Sequence, residues 1–366
     1  MASRISGCYK EIYPTTFQRT NKETELELRI DVDGERPMNV VSGDIFLNIG
    51  RIRKYLSSFR FVGIKKVQTQ KNEVMLTCER GKFDPNSEHL TQFRIKIAQN
   101  SSPLIANVNW INSAGTELTS LCKYKSAYFR SAQVENDHEE GVLPFKSYNT
   151  SALLSEVPSY PLPNTLTDAY AKAGIKIIMT RKGTNPVPHP KAIQGRGAVW
   201  TDSELNAAMT EHFSMLKDLP QWKVWLFSAY EYQVSGVKGI MLAHGGINRR
   251  GCAVFHRAIG EESNEEKRWQ LFIHVHELGH CFNLTHPWDK DRANYDTGEE
   301  GYASLSWMTI PWRYYLSKSS YGEEAFWKNF QFQFSNSELF HLRHAFRNDI
   351  IFGGNNFGER NTPEPL

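Results

Sequence analysis

The sequence lacks any apolar run of the about 18 residues that a transmembrane helix needs, so we predict no membrane-spanning segment. Its first residues, MASRISGCYKEIYPTTFQRTNKE, also lack the apolar core of a standard signal peptide. We therefore predict a protein that is cytoplasmic as synthesised. Leaderless export, or delivery as an effector by another machine, stays open as an alternative.

Cysteine is scarce and charge is nearly balanced. The 366 residues include five cysteines with no C-x-x-C pair, so a disulfide framework is not expected. The 43 basic and 40 acidic residues leave a net charge of +3, which gives no reason to expect a nucleic-acid or membrane partner. There is also no GxSxG nucleophile elbow and no P-loop. What remains is a globular protein of about two domains, whose oligomeric state the sequence does not indicate.

Hydrophobic alternation dominates the N-terminal part. Residues 24–32 alternate between apolar and polar side chains, which is the period of a half-buried strand. Similar short runs, separated by turn-rich pieces, recur along this part with no convincing helix between them. The pattern predicts an antiparallel β-sandwich-like domain over residues 1–150. Its role is not given by the sequence: an inhibitory pro-segment, a targeting module and a substrate-docking module all stay open.

A proline-rich piece, residues 151–165, is predicted to be a linker. The remainder, residues 166–366, mixes short apolar strands with helices. Its longest predicted helix runs from about Ser263 to Leu284 and begins with an S-x-x-E capping box. The prediction for the whole chain is α+β, with a β-rich domain followed by an α/β domain.

The most informative segment is HELGHCFNLTH, residues 276–286. On a helix, His276 and His280 project from one face a turn apart, and two neutral imidazoles at that spacing can bind one Zn²⁺. Glu277 follows the first of them, where its carboxylate can reach a zinc-bound water without being a ligand. That position suits a general base, which takes a proton as water attacks a carbonyl.

His286 can join the pair only if the helix ends before it. A continuing helix would carry His286 off the metal-binding face, so the chain must turn near Asn283. Asparagine is one of the few residues that tolerate the left-handed conformation used in such turns. His276, His280 and His286 then supply three ligands and leave a fourth position for water. This is the pattern of a catalytic zinc site, with one ion per chain.

The segment resembles the metzincin signature H-E-x-x-H-x-x-G-x-x-H, with Asn283 in place of the glycine. The resemblance covers about residues 165–350 and leaves residues 1–150 without a match. It implies a zinc endopeptidase with a twisted sheet, an active-site helix and a methionine-containing turn beneath the metal. Met308 is the only methionine after His286, and the resemblance implies that it is the Met-turn residue. Its surroundings look more like those of matrixins than of astacins.

We therefore predict a zinc-dependent endopeptidase that acts on a protein or peptide substrate, with Glu277 as general base. Tyr314 and Tyr315, shortly after Met308, are candidates for a substrate pocket. The alternative is a protein-binding or scaffold module whose zinc site is structural or vestigial. The presence of Glu277 and the lack of an obvious fourth protein ligand favour the enzyme. The substrate and its cleavage site are not indicated.

Overall fold

The structure is a computed structural model that describes residues 4–12, 15–17, 22–70, 72–78, 81–83, 90–112, 117–149, 162–180, 186–190, 199–242, 249–260, 262–292 and 301–357. The protein is mixed α+β and rich in sheet. Its chain divides into two compact units: Met1–Arg130 with Arg343–Arg347, and Ser131–Leu342 with Asn348–Leu366. Most of the predicted linker, residues 151–161, lies outside the described residues.

The described strands of the first unit form one large, curled antiparallel sheet. Its order is β6-β7-β9-β10-β11-β1-β3-β4-β5-β8, with β2 also paired to β3. The strands are β1 (Gly7–Glu11), β2 (Thr15–Phe17), β3 (Lys22–Asp31), β4 (Val40–Ile49), β5 (Ile52–Val62), β6 (Lys65–Gln70), β7 (Glu73–Cys78), β8 (Gly81–Phe83), β9 (Leu90–Ala98), β10 (Ile105–Asn112) and β11 (Glu117–Ser126).

The antiparallel pairing agrees with the sequence prediction, but the sheet is continuous where a sandwich has two facing sheets. Strand β1 explains the continuity, because it pairs with β3 on one side and with β11 on the other. It thereby joins the series that ends at β11 (β6, β7, β9, β10 and β11) to the series that starts at β3 (β3, β4, β5 and β8). The inward residues alternate with outward ones, as the period of a strand requires. They form one apolar core that includes Leu28, Ile30, Val74, Ile95 and Val108.

A buried charge cluster also lies within the first unit. Arg29 donates two hydrogen bonds to the carboxylate of Asp44, at 2.7 and 3.1 Å, and the Ser58 hydroxyl donates a third at 2.7 Å. Burial alone would raise the pKa of the Asp44 carboxyl. The charges of Arg29 and Arg130 outweigh that effect and hold the pKa at about 2. Asp44 is therefore ionised inside the unit over the whole physiological range.

The segment Arg343–Arg347 belongs to the first unit through a second carboxylate. Asp31 accepts hydrogen bonds from Arg343 Nη1 at 3.0 Å and from His344 Nε2 at 3.1 Å. The other ring nitrogen of His344 lies 3.0 Å from the hydroxyl of Ser42. Because these groups are buried, their mutual hydrogen bonds are what makes their burial tolerable.

The second unit is built on a sheet of order β13-β12-β16-β19-β18, with β14 paired to β12. Strands β12, β16 and β19 run parallel, and β18 is antiparallel to β19 at the edge of the described sheet. Two further strand pairs, β15 with β17 and β20 with β21, lie outside it. The strands are β12 (Arg130–Glu139), β13 (Ile175–Met179), β14 (Pro186–Val187), β15 (Val199–Trp200), β16 (Lys223–Ala229), β17 (Glu231–Tyr232), β18 (Gly239–Leu242), β19 (Gly251–Phe255), β20 (Tyr315–Ser317) and β21 (Ser320–Tyr321).

Strand β19 is buried at every residue and β16 at all but its first, as is typical of parallel strands that are covered on both faces. Helix α4 packs against β19 and β18. The helices are α1 (Leu166–Lys172), α2 (Asp202–His212), α3 (His256–Ile259), α4 (Asn264–Cys281), α5 (Gly322–Asn329), α6 (Asn336–His344) and α7 (Arg347–Ile350). In the part of the chain that the structure describes, no helix has both the length and the apolar character to cross a bilayer.

Candidate metal centre

Helix α4 carries two of the three predicted ligands. It begins at the predicted capping box, in which the Ser263 hydroxyl accepts from the Glu266 amide at 3.1 Å and the Glu266 carboxylate accepts from the Ser263 amide at 2.7 Å. Every residue from Trp269 to Cys281 is buried. A helix that is buried on all sides is a core element. His276 and His280 are thus held on a rigid support inside the unit.

The chain leaves α4 through a left-handed residue. Asn283 has a φ of 67°, the conformation that the sequence analysis required at this point. Its amide donates to the carbonyl of His280 at 2.8 Å, and the amide of Leu284 donates to the carbonyl of Gly279 at 3.0 Å. The side-chain amide of Asn283 donates to the carbonyl of Asp349 at 2.6 Å. The turn therefore satisfies the last carbonyls of the helix and directs His286 back toward it.

The structure brings the three histidines together at one point. The Nε2 atom of His276 lies 2.9 Å from that of His280 and 3.2 Å from that of His286. Among the described residues, this is the group of His, Cys, Asp or Glu side chains whose ligand atoms converge, all within 4.8 Å of one another. All three side chains are buried. Three histidines in this arrangement could hold a metal ion.

The hydrogen bonds on the far side of each ring show which nitrogen faces the others. Nδ1 of His276 lies 2.8 Å from the carbonyl oxygen of Trp307, and Nδ1 of His280 lies 2.7 Å from that of Leu284. Carbonyl oxygens only accept, so both rings carry their proton on Nδ1. Nδ1 of His286 lies 3.3 Å from a carboxylate oxygen of Asp289, which accepts in the same way.

These tautomers leave a lone pair on every Nε2, and the three lone pairs point into one small space. No hydrogen bond can form between them, because none of the three atoms carries a proton. A cation at that point removes the conflict, and a second hydrogen bond on each ligand is usual for metal-bound histidine. The donor set therefore fits a metal ion.

Burial also favours the neutral form of His276 and His280, the form that a metal ion requires. It lowers the pKa of His276 and His280 well below the usual range, and the neighbouring histidines lower it further. Neutral imidazole is the form that binds metals. Glu277 is buried beside them, and burial raises the pKa of its carboxyl well above the usual value.

Glu277 lies against the edge strand of the sheet. A Cβ atom placed on Gly239 would lie only 2.7 Å from Cγ of Glu277 and 2.8 Å from its Oε1. Gly239 begins β18, so a residue without a side chain lets the strand run directly past the carboxylate. The carboxyl group of Glu277 and the edge of the described sheet are therefore in close contact.

Met308 lies beneath the helix that carries the ligands. A Cβ atom on Gly279 would collide with its sulfur, so the two residues are in direct contact. The turn around Met308 is held by its own hydrogen bonds: the Met308 amide donates to Ser306 Oγ at 3.1 Å, and Thr309 Oγ1 donates to the Ser304 carbonyl at 2.9 Å. The same turn presents the Trp307 carbonyl that orients His276.

The two candidate pocket residues differ in exposure. Tyr314 is 2% exposed, and its ring packs edge-on against Phe326 at 5.9 Å. Tyr315 is 50% exposed. Of the two, only Tyr315 faces solvent and is available to a substrate.

Sequence reasoning did not identify the groups that orient the ligands. The carbonyls of Trp307 and Leu284 have no sequence signal, because every residue has a carbonyl. Asp289 follows His286 by three residues, and that spacing is the one sequence signal that its carboxylate could reach the ring.

No protein-family model matches this chain, and a search of curated proteins finds no similar sequence.

Proposed function

We propose that this protein is a zinc-dependent endopeptidase of the metzincin type, in which His276, His280 and His286 hold one Zn²⁺ and Glu277 is the general base. The observation that carries the proposal is the convergence of three buried Nε2 lone pairs, each fixed by a hydrogen bond on the opposite side of its ring. A purely structural packing of three histidines has no need for that arrangement.

The donor set favours zinc among the divalent cations. Three imidazole nitrogens suit Zn²⁺, and the absence of a fourth ligand-type side chain in the group that the described residues form is typical of catalytic rather than structural sites. When bound, Zn²⁺ supplies a Lewis acid that polarises the scissile carbonyl and acidifies water.

Glu277 then performs the proton transfers. Its burial raises the pKa of the carboxyl well above the usual value, which makes the carboxylate a stronger base than an exposed one. The carboxylate takes a proton from the attacking water and delivers it to the leaving amine. Because it sits one residue after His276 on a buried helix, packing holds its position relative to the ligands.

An extended peptide is the substrate that the surroundings fit. Strand β18 lies at the edge of the described sheet and begins against Glu277. A polypeptide can pair with such an edge through main-chain hydrogen bonds, which are independent of its side chains. Pairing there would draw a peptide bond past the carboxylate, and this favours a peptidase over a hydrolase of small molecules.

The test is cleavage of a reduced, alkylated protein by the full chain loaded with one equivalent of zinc. Glu277→Gln is the matched control, since it keeps the shape of the side chain and removes the base. We expect the wild type to cleave and the variant to retain zinc while losing activity by about 100-fold or more. Equal cleavage by both would contradict the role of Glu277.

Removal of the metal separates the enzyme from a scaffold with a structural zinc. A chelator should abolish cleavage while far-ultraviolet circular dichroism stays unchanged, because the second unit has an apolar core formed by residues other than the three histidines. Unfolding of the second unit on chelation would instead indicate a structural metal.

A further inference from the structure

The ligand His286 is the first ring of an aromatic stack that leads away from the metal centre. Its ring stacks on Trp288 with centroids 4.9 Å apart and an interplanar angle of 18°. Trp288 also stacks on Tyr302 at 5.1 Å and 10°. The guanidinium of Arg313 lies over Trp288, 5.6 Å from the ring centroid. Three nearly parallel rings are therefore coupled, the first of them at the proposed metal.

The stack ends at solvent. Tyr302 is 50% exposed, although it is the terminal ring of an ordered series. The short helical turn that carries it, Gly301–Ala303, contacts strand β20. There Tyr315 is 50% exposed and Leu316 60% exposed, and Tyr321, paired across the hairpin with Tyr315, is 64% exposed. We call the three tyrosines, Tyr302, Tyr315 and Tyr321, the aromatic surface.

Packing within the unit does not account for the aromatic surface. Burial of an aromatic ring is strongly favourable, and the three tyrosines lose that stabilisation because each is half or more exposed. Clustered exposed apolar residues of this kind mark binding sites. The cluster is continuous with the metal centre through Trp288, which points to the substrate of that centre as its occupant.

We propose that the aromatic surface is a substrate-binding subsite that takes an aromatic side chain of the polypeptide being cleaved. This inference rests on the proposed function. A planar side chain that stacks on Tyr302 continues the series of His286, Trp288 and Tyr302, and aromatic rings favour such offset stacking. The Tyr315–Tyr321 pair on the neighbouring hairpin supplies an apolar border to the same site.

The length of the stack also indicates which residue of the substrate binds to the aromatic surface. Two steps of 4.9 and 5.1 Å place the Tyr302 ring at most about 10 Å from His286, the length of about three residues of extended chain at about 3.3 Å each. The preferred aromatic residue therefore lies about three positions from the scissile bond, on the side of the chain that faces the stack. Trp288 stacks on His286 and is a positioning residue, because it holds the Tyr302 ring in line with the metal centre. Tyr302 is the residue that contacts the aromatic side chain of the substrate.

The test uses peptides that are anchored at the metal. A series of serine- and glycine-based peptides carries a terminal hydroxamate, which binds zinc, and a single phenylalanine placed one to six residues away. Their affinity for the zinc-loaded full chain is measured by calorimetry. We expect an affinity maximum, about fivefold above a peptide without phenylalanine, when the ring is two to four residues from the hydroxamate.

Tyr302→Ala should remove that maximum, and Tyr302→Phe, which keeps the stacking ring, should restore it. Tyr230→Ala is the matched control, because Tyr230 is also an exposed tyrosine of the second unit, at 39%, and has no part in the stack. An affinity that does not depend on the position of phenylalanine, or that Tyr302→Ala leaves unchanged, overturns the inference. So does a failure of all the peptides to bind.

The peptide-binding test and the cleavage test can fail independently of each other. If the wild type cleaves nothing but the position dependence and its loss in Tyr302→Ala are observed, the proposed peptidase activity fails and the subsite stands. If cleavage is lost in Glu277→Gln but no position dependence is found, the peptidase stands and the subsite fails.

Discussion

The turn at Asn283 decides whether His286 reaches the other two histidines, and substitutions there have calculable effects. Asn283→Ala loses the hydrogen bond to the Asp349 carbonyl, worth about 1 kcal/mol. It also places a residue with a poor left-handed propensity at a φ of 67°, which costs about 1 to 2 kcal/mol. We expect Asn283→Ala to destabilise the second unit by about 2 to 3 kcal/mol.

Asn283→Gly separates the two contributions. It loses the same hydrogen bond but adopts the left-handed conformation freely, so the two effects oppose each other and the net change should stay within about 1 kcal/mol. The difference in unfolding free energy between the alanine and glycine variants then gives the cost of the left-handed backbone conformation. Urea unfolding followed by tryptophan fluorescence is the assay, because every one of the nine tryptophans except Trp110 lies in the second unit.

Zinc affinity provides the second measurement. If the turn positions His286, the alanine variant should bind zinc about tenfold or more weakly, and the glycine variant should bind nearly as well as wild type. Equal stability and equal zinc affinity of the alanine and glycine variants would refute the role of the left-handed turn.

Two further predictions concern the support of the site and the first unit. Gly279→Ala should be destabilising by about 1 to 3 kcal/mol, because its Cβ meets the sulfur of Met308, and Met308→Ala should relieve that strain. The double variant should therefore be less destabilised than the two single effects predict together, and additive effects would show that the two residues do not touch. Asp44 has a pKa of about 2 in the folded protein, below its ordinary value of 3.8. Its ionised form therefore adds to the free energy of unfolding in full above about pH 4, and this stabilisation is lost as the pH falls toward 2. The loss should be about 2 kcal/mol of unfolding free energy, measured from urea midpoints between pH 4 and pH 2. Asp44→Asn should lose less stability over the same pH interval. An equal loss in the wild type and the variant would contradict the low pKa of Asp44.

Local patterns were sufficient to predict much of the ligand geometry. The spacing of His276 and His280 places both on one helix face whatever the rest of the fold. The need for a turn before His286 led to Asn283, because few residue types take a positive φ. The capping box at Ser263 located the start of α4 for the same reason: its chemistry involves residues close in sequence.

Long-range pairing was beyond these patterns. Alternation predicts that a segment is a strand and which residues face inward, but it does not name the neighbouring strand. The continuous sheet of the first unit, which β1 joins, could not be told from a sandwich in this way. The return of Arg343–Arg347 to the first unit depends on Asp31, more than 300 residues earlier, and no local signal connects them.

The candidate pocket shows the same limit at smaller scale. Tyr314 and Tyr315 are adjacent and identical in type, yet Phe326 covers the first and leaves the second in solvent. Only the position of helix α5, fixed by tertiary packing, distinguishes them. Likewise, Trp288 and Tyr302 are 14 positions apart in sequence, and no local pattern indicates that their rings stack.

The most direct test of the central claim is X-ray absorption spectroscopy at the zinc edge on the full chain loaded with one equivalent of zinc. We predict three imidazole nitrogens at about 2.0 to 2.1 Å and one further light ligand from solvent, with one imidazole lost in His286→Ala. A sulfur at about 2.3 Å, or a first shell that His286→Ala leaves unchanged, would contradict a metal centre built from His276, His280 and His286.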